Sequence, residues 1–196
     1  MRLFAALWPT DEVRSHLAAA LRTSVGVDPE SAPGRGPEGV RWTAAECWHI
    51  TLAFYGDVGD GHTEELAQAL GRIELEPFDL HLRGAGVFAH RTLWAGVGGD
   101  LDAAHRLIAA TREAGEDCGV QVDARERSRP HLTLGRVREQ RSRRDREPSA
   151  ADRLVHALSV YSGPVWPVRS LVLAQSEPGM GRAGGPLYTV LHEWEL

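Results

Sequence analysis

Apolar positions along the chain switch between strand-like runs and helical spacing, and together they predict a mixed fold. Residues 2 to 8 (RLFAALW) read as a strand. Pro9-Thr10-Asp11 then makes a helix start, with Thr10 or Asp11 as N-cap, and Val13, Leu17, Ala20 and Leu21 recur at helical spacing through about residue 24. Residues 26 to 39 are rich in Pro and Gly and predict a loop; 40 to 43 and 48 to 55 read as strands. Beyond the break at Gly59 to Gly61, HTEELAQALGRI is a second helix. Residues 78 to 88 and 92 to 98 alternate as paired strands around Ala89-His90-Arg91. DLDAAHRLIAATREAGEDCG is a third, amphipathic helix, followed by strands at 120 to 124 and 131 to 138. An Arg-rich loop leads to a fourth helix at roughly 149 to 160, and strands near 165 to 175 and 187 to 195 flank the glycine-rich SEPGMGRAGGP.

This order departs from the strict strand–helix alternation of a doubly wound parallel sheet. It predicts an α+β fold: a single bilobal domain over residues 1–196, with two pseudo-symmetric halves, each an antiparallel sheet flanked by helices. No linker is long enough to separate independent domains. With 42% apolar and 25% charged residues, the composition is that of an ordinary globular protein. No apolar run approaches the ~20 residues of a membrane-spanning helix, and the N-terminus lacks the features of a signal peptide.

Two cysteines, Cys47 and Cys118, make no disulfide framework and no metal-ligand spacing, which points to a reducing cytoplasm. The net charge of −5 argues against a general nucleic-acid coat protein. All 22 basic residues are arginine, so no phosphate loop of the type that needs a lysine is present; coding bias explains this composition. Nothing marks an oligomer interface, and a monomer is the default.

The candidate chemistry lies in one repetition. His49-Ile50-Thr51-Leu52 reappears at residues 131 to 134 as His131-Leu132-Thr133-Leu134. On a strand, residues i and i+2 share a face, so each copy offers an imidazole and a hydroxyl to one side and apolar packing to the other. If the halves are related by a pseudo-twofold axis, the two polar pairs meet across a cleft. Imidazoles titrate near pH ~6.5, so one can take a proton while the other gives one. Two threonine hydroxyls supply donors to the oxygens of a tetrahedral centre, a set matched to displacement at phosphorus. One such motif alone is more often a packed histidine, but two copies in corresponding places favour function. The neighbours Trp48 and Pro130 add no metal ligand.

These residues carry a resemblance to the two-histidine phosphoesterases, specifically the RNA 2′,3′-cyclic phosphodiesterases also described as 2′-5′ RNA ligase-like proteins. RLFAAL at 2 to 7, RWTAAECWHITLAFYGDV at 41 to 58, LWAGV at 93 to 97, RSRPHLTLGRV at 127 to 137 and YTVLHEWEL at 188 to 196 are similar to the family's blocks. The resemblance implies hydrolysis of a 2′,3′-cyclic phosphate RNA end to a 2′-phosphomonoester. His49 would be the proton donor to the departing 3′ oxygen and His131 the acceptor that activates water. Thr51 and Thr133 would bind phosphate oxygens, and Arg136 would help hold the substrate. No metal or organic cofactor is implied. The partner would be an RNA with a 2′,3′-cyclic phosphate terminus or a small cyclic nucleotide, with no membrane. Two departures from the family pattern are Ser128, where relatives often carry an aromatic residue, and Tyr55 in place of an aliphatic one.

The same four groups also serve 2′-5′ RNA joining or hydrolysis of another small cyclic nucleotide phosphate. A third reading is a non-catalytic RNA-end binding module, against which the intact histidine pair argues. The arginines of 138 to 146 form either an RNA-tracking patch or a solvated loop. Trp42 is a stacking candidate better read as core, the loop 176 to 186 is a lid or a plain connection, and Ser176 and Tyr188 are further candidates. The seven other histidines read as surface or packing residues.

Overall fold

Strand β1 (Arg2–Leu7) enters helix α1 (Asp11–Val25) through Thr10, the N-cap, whose hydroxyl accepts from the Val13 N–H at 3.4 Å. The helix ends where Gly26 turns left-handed (φ 67°), so that the Gly26 and Val27 N–H groups satisfy the carbonyls of Arg22 and Leu21. The computed structural model describes residues 1–29, 34–35, 40–89, 91–123, 129–137 and 150–196. After β2 (Gly34–Arg35) and β3 (Val40–Trp42) come β4 (Ile50–Asp57), α2 (Asp60–Leu70), β5 (Phe78–Phe88), β6 (Thr92–Gly99) and α3 (Leu101–Asp117). The chain finishes with β7 (His131–Val137), α4 (Ala150–Ala157), β8 (Trp166–Val168), β9 (Ser170–Glu177) and β10 (Leu187–Glu195).

The strands form one antiparallel sheet in the order β10-β9-β1-β4-β7-β6-β5-β8, with β3 and then β2 added beside β7. Four strands of that path belong to each half, and the halves meet at a single register pair, Ile50 with Leu132. Strand β8 pairs with β5 at one end of the order, whereas β9 pairs with β1 near the other. Only Arg169 separates β8 from β9 in sequence, and consecutive Cα atoms lie about 3.8 Å apart. The sheet must therefore curl until its ends approach, and the fold is α+β, a curled antiparallel half-barrel with helices packed against it.

One face of the sheet builds the main core. Leu3, Ala5, Leu7, Leu80, Leu82 and Leu93 pack there with Val13, Leu17 and Leu21 of α1, Leu66 and Leu70 of α2, Leu107 of α3 and Leu154 of α4. Each fully buried leucine contributes about 1.5–3 kcal/mol. Helix α3 lies on β4 and α4 on β5, so helices cover both halves. The opposite face of the first half carries a separate cluster of Phe4, Ala6, Val172 and Ala174, edged by Trp8, Phe54 and Tyr188. That face lines the cleft described below.

Several expectations shift in position. The stretch 26 to 39 holds a two-residue strand, Gly34–Arg35, because β3 offers a free edge there. The first repeat's strand begins at Ile50, since residues 45–47 form a 3-10 turn. Residues 120–123 are not a strand: the Val120 N–H turns back to the Gly115 carbonyl, and a bond from the Asp123 N–H to the Phe54 carbonyl stands in place of a ladder. The strand placed near 165 to 175 is two strands, because the chain crosses there from one end of the sheet to the other. Tyr55, the departure from an aliphatic residue, is 1% exposed and donates its hydroxyl to the Thr111 carbonyl at 2.8 Å. Trp42 is core, at 4% exposure. Ser128, His90 and the arginines of 138 to 146 lie outside the described residues. Among the described residues, no helix is long and apolar enough to cross a membrane.

Candidate active site

The single pairing between the halves decides how the two motifs meet. Ile50 opposite Leu132 in an antiparallel register sets His49 across from Thr133 and Thr51 across from His131, all on one face. Each imidazole thus neighbours the other motif's hydroxyl. The histidines are diagonal neighbours, a relation that separates residues by about 7–8 Å in a regular ladder. The apolar partners on the opposite face, Ile50, Leu52, Leu132 and Leu134, are all buried.

Both rings are oriented by the same local bond. His49 Nδ1–H donates to the Cys47 carbonyl at 2.8 Å, and His131 Nδ1–H to the Arg129 carbonyl at 3.0 Å, two residues upstream in each case. A carbonyl only accepts, so Nδ1 carries the proton and Nε2 carries the lone pair in both neutral rings. The Thr51 hydroxyl donates to His49 Nε2 at 3.1 Å.

Aromatic rings hold each imidazole. Trp8 stacks on His49 at 5.3 Å between centroids, Tyr188 meets it edge-on at 5.1 Å and Phe4 lies at 4.9 Å. Phe88 meets His131 edge-on at 4.9 Å and Trp94 at 6.3 Å. Burial in this setting, opposed by the Cys47 carbonyl bond and reinforced by His131, pulls His49 down to about 4. Burial, with help from Cys47 and against the pull of Arg136, pushes the Tyr188 phenol up to about 12. The Cys47 thiol is pushed up to about 11 by burial and Glu46. At neutral pH His49 is therefore uncharged, and Tyr188 and Cys47 keep their protons.

Trp94 owes its position to a glycine. A Cβ built on Gly86, its cross-strand partner, would fall 2.1 Å from the indole, which also stacks on Phe88 at 5.0 Å. Gly86→Ala is expected to displace Trp94 and destabilise the fold by about 1–3 kcal/mol. A denaturant midpoint unchanged from wild type would mean that the indole is not locked there.

A bulge follows the threonine in each motif. Thr51 pairs with Ala6 and Ala53 with Ala5, leaving Leu52 unpaired; Thr133 pairs with Trp94 and Gly135 with Leu93, leaving Leu134 unpaired. The extra residue reverses the alternation. Arg136, which simple period-2 counting from His131 would turn away, faces the same side as Thr133. Gly135 permits this because β3 crosses tightly: an added Cβ would lie 2.7 Å from the Arg41 carbonyl oxygen.

All five residues singled out from the sequence, His49, Thr51, His131, Thr133 and Arg136, line one cleft of about 610 Å³, as do Ser176 and Tyr188. Six arginines line it as well (Arg2, Arg41, Arg112, Arg129, Arg136 and Arg182), against one acid, Asp123. This local excess of positive charge stands inside a chain of net charge −5. The glycine-rich loop forms one wall: Arg41 donates to the Gly184 carbonyl, and Cys47 Sγ–H to the Pro186 carbonyl at 3.6 Å. A more open groove of about 620 Å³ beside Asp79, His81 and Arg169 contains none of these groups. Of the six other histidines among the described residues, none lines the cleft. Among the described residues no three of His, Cys, Asp and Glu converge as metal ligands. Sequence reading missed Phe4, Trp8, Phe88 and Trp94; their only signal was an apolar residue where an exposed strand face would be polar.

A family model described as LigT-like phosphoesterase matches residues 30–97. An RNA 2′,3′-cyclic phosphodiesterase of Archaeoglobus fulgidus is 30% identical over 201 residues, covering 100% of both chains. One of Aeropyrum pernix is 32% identical over 152 residues, covering 76% of this chain and 81% of the relative. Among solved structures, Escherichia coli LigT complexed with 3′-AMP superposes with a TM-score of 0.70 at 25% identity, covering 100% of this chain and 96% of that one. With two oriented histidines in one cleft and relatives that match it from end to end, the chain belongs to the LigT-like, two-histidine phosphoesterases.

Proposed function

We propose that the protein hydrolyses 2′,3′-cyclic phosphate ends of RNA to 2′-phosphomonoesters by acid–base catalysis with its two histidines and without a metal. The observation that carries this reading is the matched pair of motifs, whose Nδ1 atoms are both tied to backbone and whose imidazoles both line one cleft. Curated relatives bear the name of this activity, and the arginine-lined cleft suits a polyanion.

The chemistry runs as an in-line displacement. His131 Nε2 takes a proton from water as the water oxygen bonds to phosphorus. The bond from phosphorus to the 3′ oxygen breaks, and protonated His49 gives that oxygen its proton. The hydroxyls of Thr51 and Thr133 donate to the non-bridging oxygens, and Arg136 adds charge at the edge of the site. His49 must enter protonated although burial holds it near 4 in the free protein. A bound phosphate anion favours the imidazolium and raises its pKa. Protonation at Nε2 also ends the Thr51 bond to that atom and frees the hydroxyl for phosphate.

The test is incubation with an oligonucleotide ending in 2′,3′-cyclic phosphate, with chelator present, and identification of the product. A 2′-phosphate is expected. A 2′-5′ joined product would make the protein a ligase, and bound but unaltered RNA would make it a binding module.

A further inference from the structure

Resting on that reading, we propose that Tyr188 is a further substrate-binding residue, whose hydroxyl donates a hydrogen bond to a non-bridging oxygen of the reacting phosphate. The chain has three tyrosines, at positions 55, 161 and 188. Two of the hydroxyls are used within the fold: Tyr55 donates to the Thr111 carbonyl at 2.8 Å, and Tyr161 is bonded to His16 Nδ1 at 3.2 Å. Among the described residues the Tyr188 hydroxyl has no hydrogen-bond partner, although the residue is half-buried and lines the cleft. A half-buried hydroxyl without a protein partner costs free energy until water or a ligand accepts from it.

The surroundings fix where that hydroxyl stands. Tyr188 on β10 is the register partner of Ser176 on β9, and both line the cleft. Its ring meets His49 edge-on at 5.1 Å and Phe4 edge-on at 5.0 Å. Two groups act on its phenol through charge: the Cys47 thiol, two residues before His49, and the Arg136 guanidinium, five residues after His131. The hydroxyl therefore stands where the two motifs meet, in the field of the arginine that the proposed mechanism sets beside the phosphate. Burial keeps the phenol protonated up to about 12, so it remains a donor wherever the histidines titrate. It also completes the donor set of the first half, because in the free protein the Thr51 hydroxyl is engaged by His49 Nε2. A donor already in place and bonded to nothing else is suited to the charge that builds on the non-bridging oxygens.

The experiment uses Tyr188→Phe, which keeps the ring against His49 and removes only the hydroxyl. Calorimetry reads the binding of adenosine 2′-monophosphate and of inorganic phosphate, kinetics read kcat/KM on adenosine 2′,3′-cyclic phosphate, and NMR follows the titration of His49 in the free protein. Both anions are expected to bind about 10–100-fold more weakly than to wild type, and kcat/KM to fall by a similar factor. His49 is expected to titrate as in wild type. Unchanged binding of both anions overturns the proposal. A loss confined to adenosine 2′-monophosphate overturns it too, because the hydroxyl then holds the nucleoside. A shifted His49 titration does the same, because Tyr188 then acts through the imidazole. Wild type that binds both anions without turning over the cyclic phosphate overturns the phosphodiesterase reading, while the comparison of anion binding still decides whether the hydroxyl holds phosphate.

Discussion

Alanine at His131 is expected to lower kcat on a 2′,3′-cyclic phosphate RNA end by about 10²–10⁴-fold, and alanine at His49 by a similar factor. The two losses arise on different atoms: without His131 nothing takes the proton of the attacking water, and without His49 the 3′ oxygen leaves as an alkoxide. KM should change far less, because the arginines and threonines proposed to bind the phosphate remain. The double variant should be little worse than either single one, since groups that act as a unit lose their contributions together. His131 is 7% exposed and touches Phe88 and Trp94, so its removal leaves a gap. Near-UV circular dichroism separates loss of fold from loss of chemistry. A folded variant that keeps kcat and raises only KM would show that the imidazole binds substrate and moves no proton.

The second large effect is a loss of stability in acid. His49 sits near 4 in the folded protein and near ~6.5 in an unfolded chain. Between those values the unfolded state binds more protons, so stability rises with pH. The contribution is fully present above pH ~6.5 and is lost as pH falls through 4, about 3 kcal/mol in all. Unfolding free energies measured across this window in wild type and His49→Gln should diverge, with the variant showing the shallower slope. Parallel curves would mean that His49 titrates normally. The same imidazole, followed by NMR with bound 2′-phosphate product, should titrate at higher pH than in the free protein.

Local rules carried much of the fold. Thr10 caps α1, and four helices and the strands around both repeats fall near their expected places, because capping and periodicity depend on neighbours in sequence. Residues 120–123 failed because apolar alternation does not state whether a partner edge exists; among the described residues the segment's one backbone bond to a strand is from Asp123 to Phe54. The break at Arg169 failed for the converse reason. A nearly continuous apolar stretch serves opposite ends of a curled sheet, and curling is a property of the whole sheet.

The site divides in the same way. The face shared by His49 and Thr51, and by His131 and Thr133, follows from the two-residue period of a strand and was legible from eight letters of sequence. Arg136 reaches the cleft only because Leu134 is bulged against β6, a register event invisible in β7 alone. The depression of His49 depends on Phe4, Trp8 and Tyr188, which arrive from β1, the segment after it and β10. Sequence by itself determined which groups are the candidates for the proposed chemistry and the side of the strand they occupy, since both are set by covalent neighbours. Tertiary structure decided their mutual register, their solvent exposure and hence their protonation, because desolvation and pairing come from residues remote along the chain.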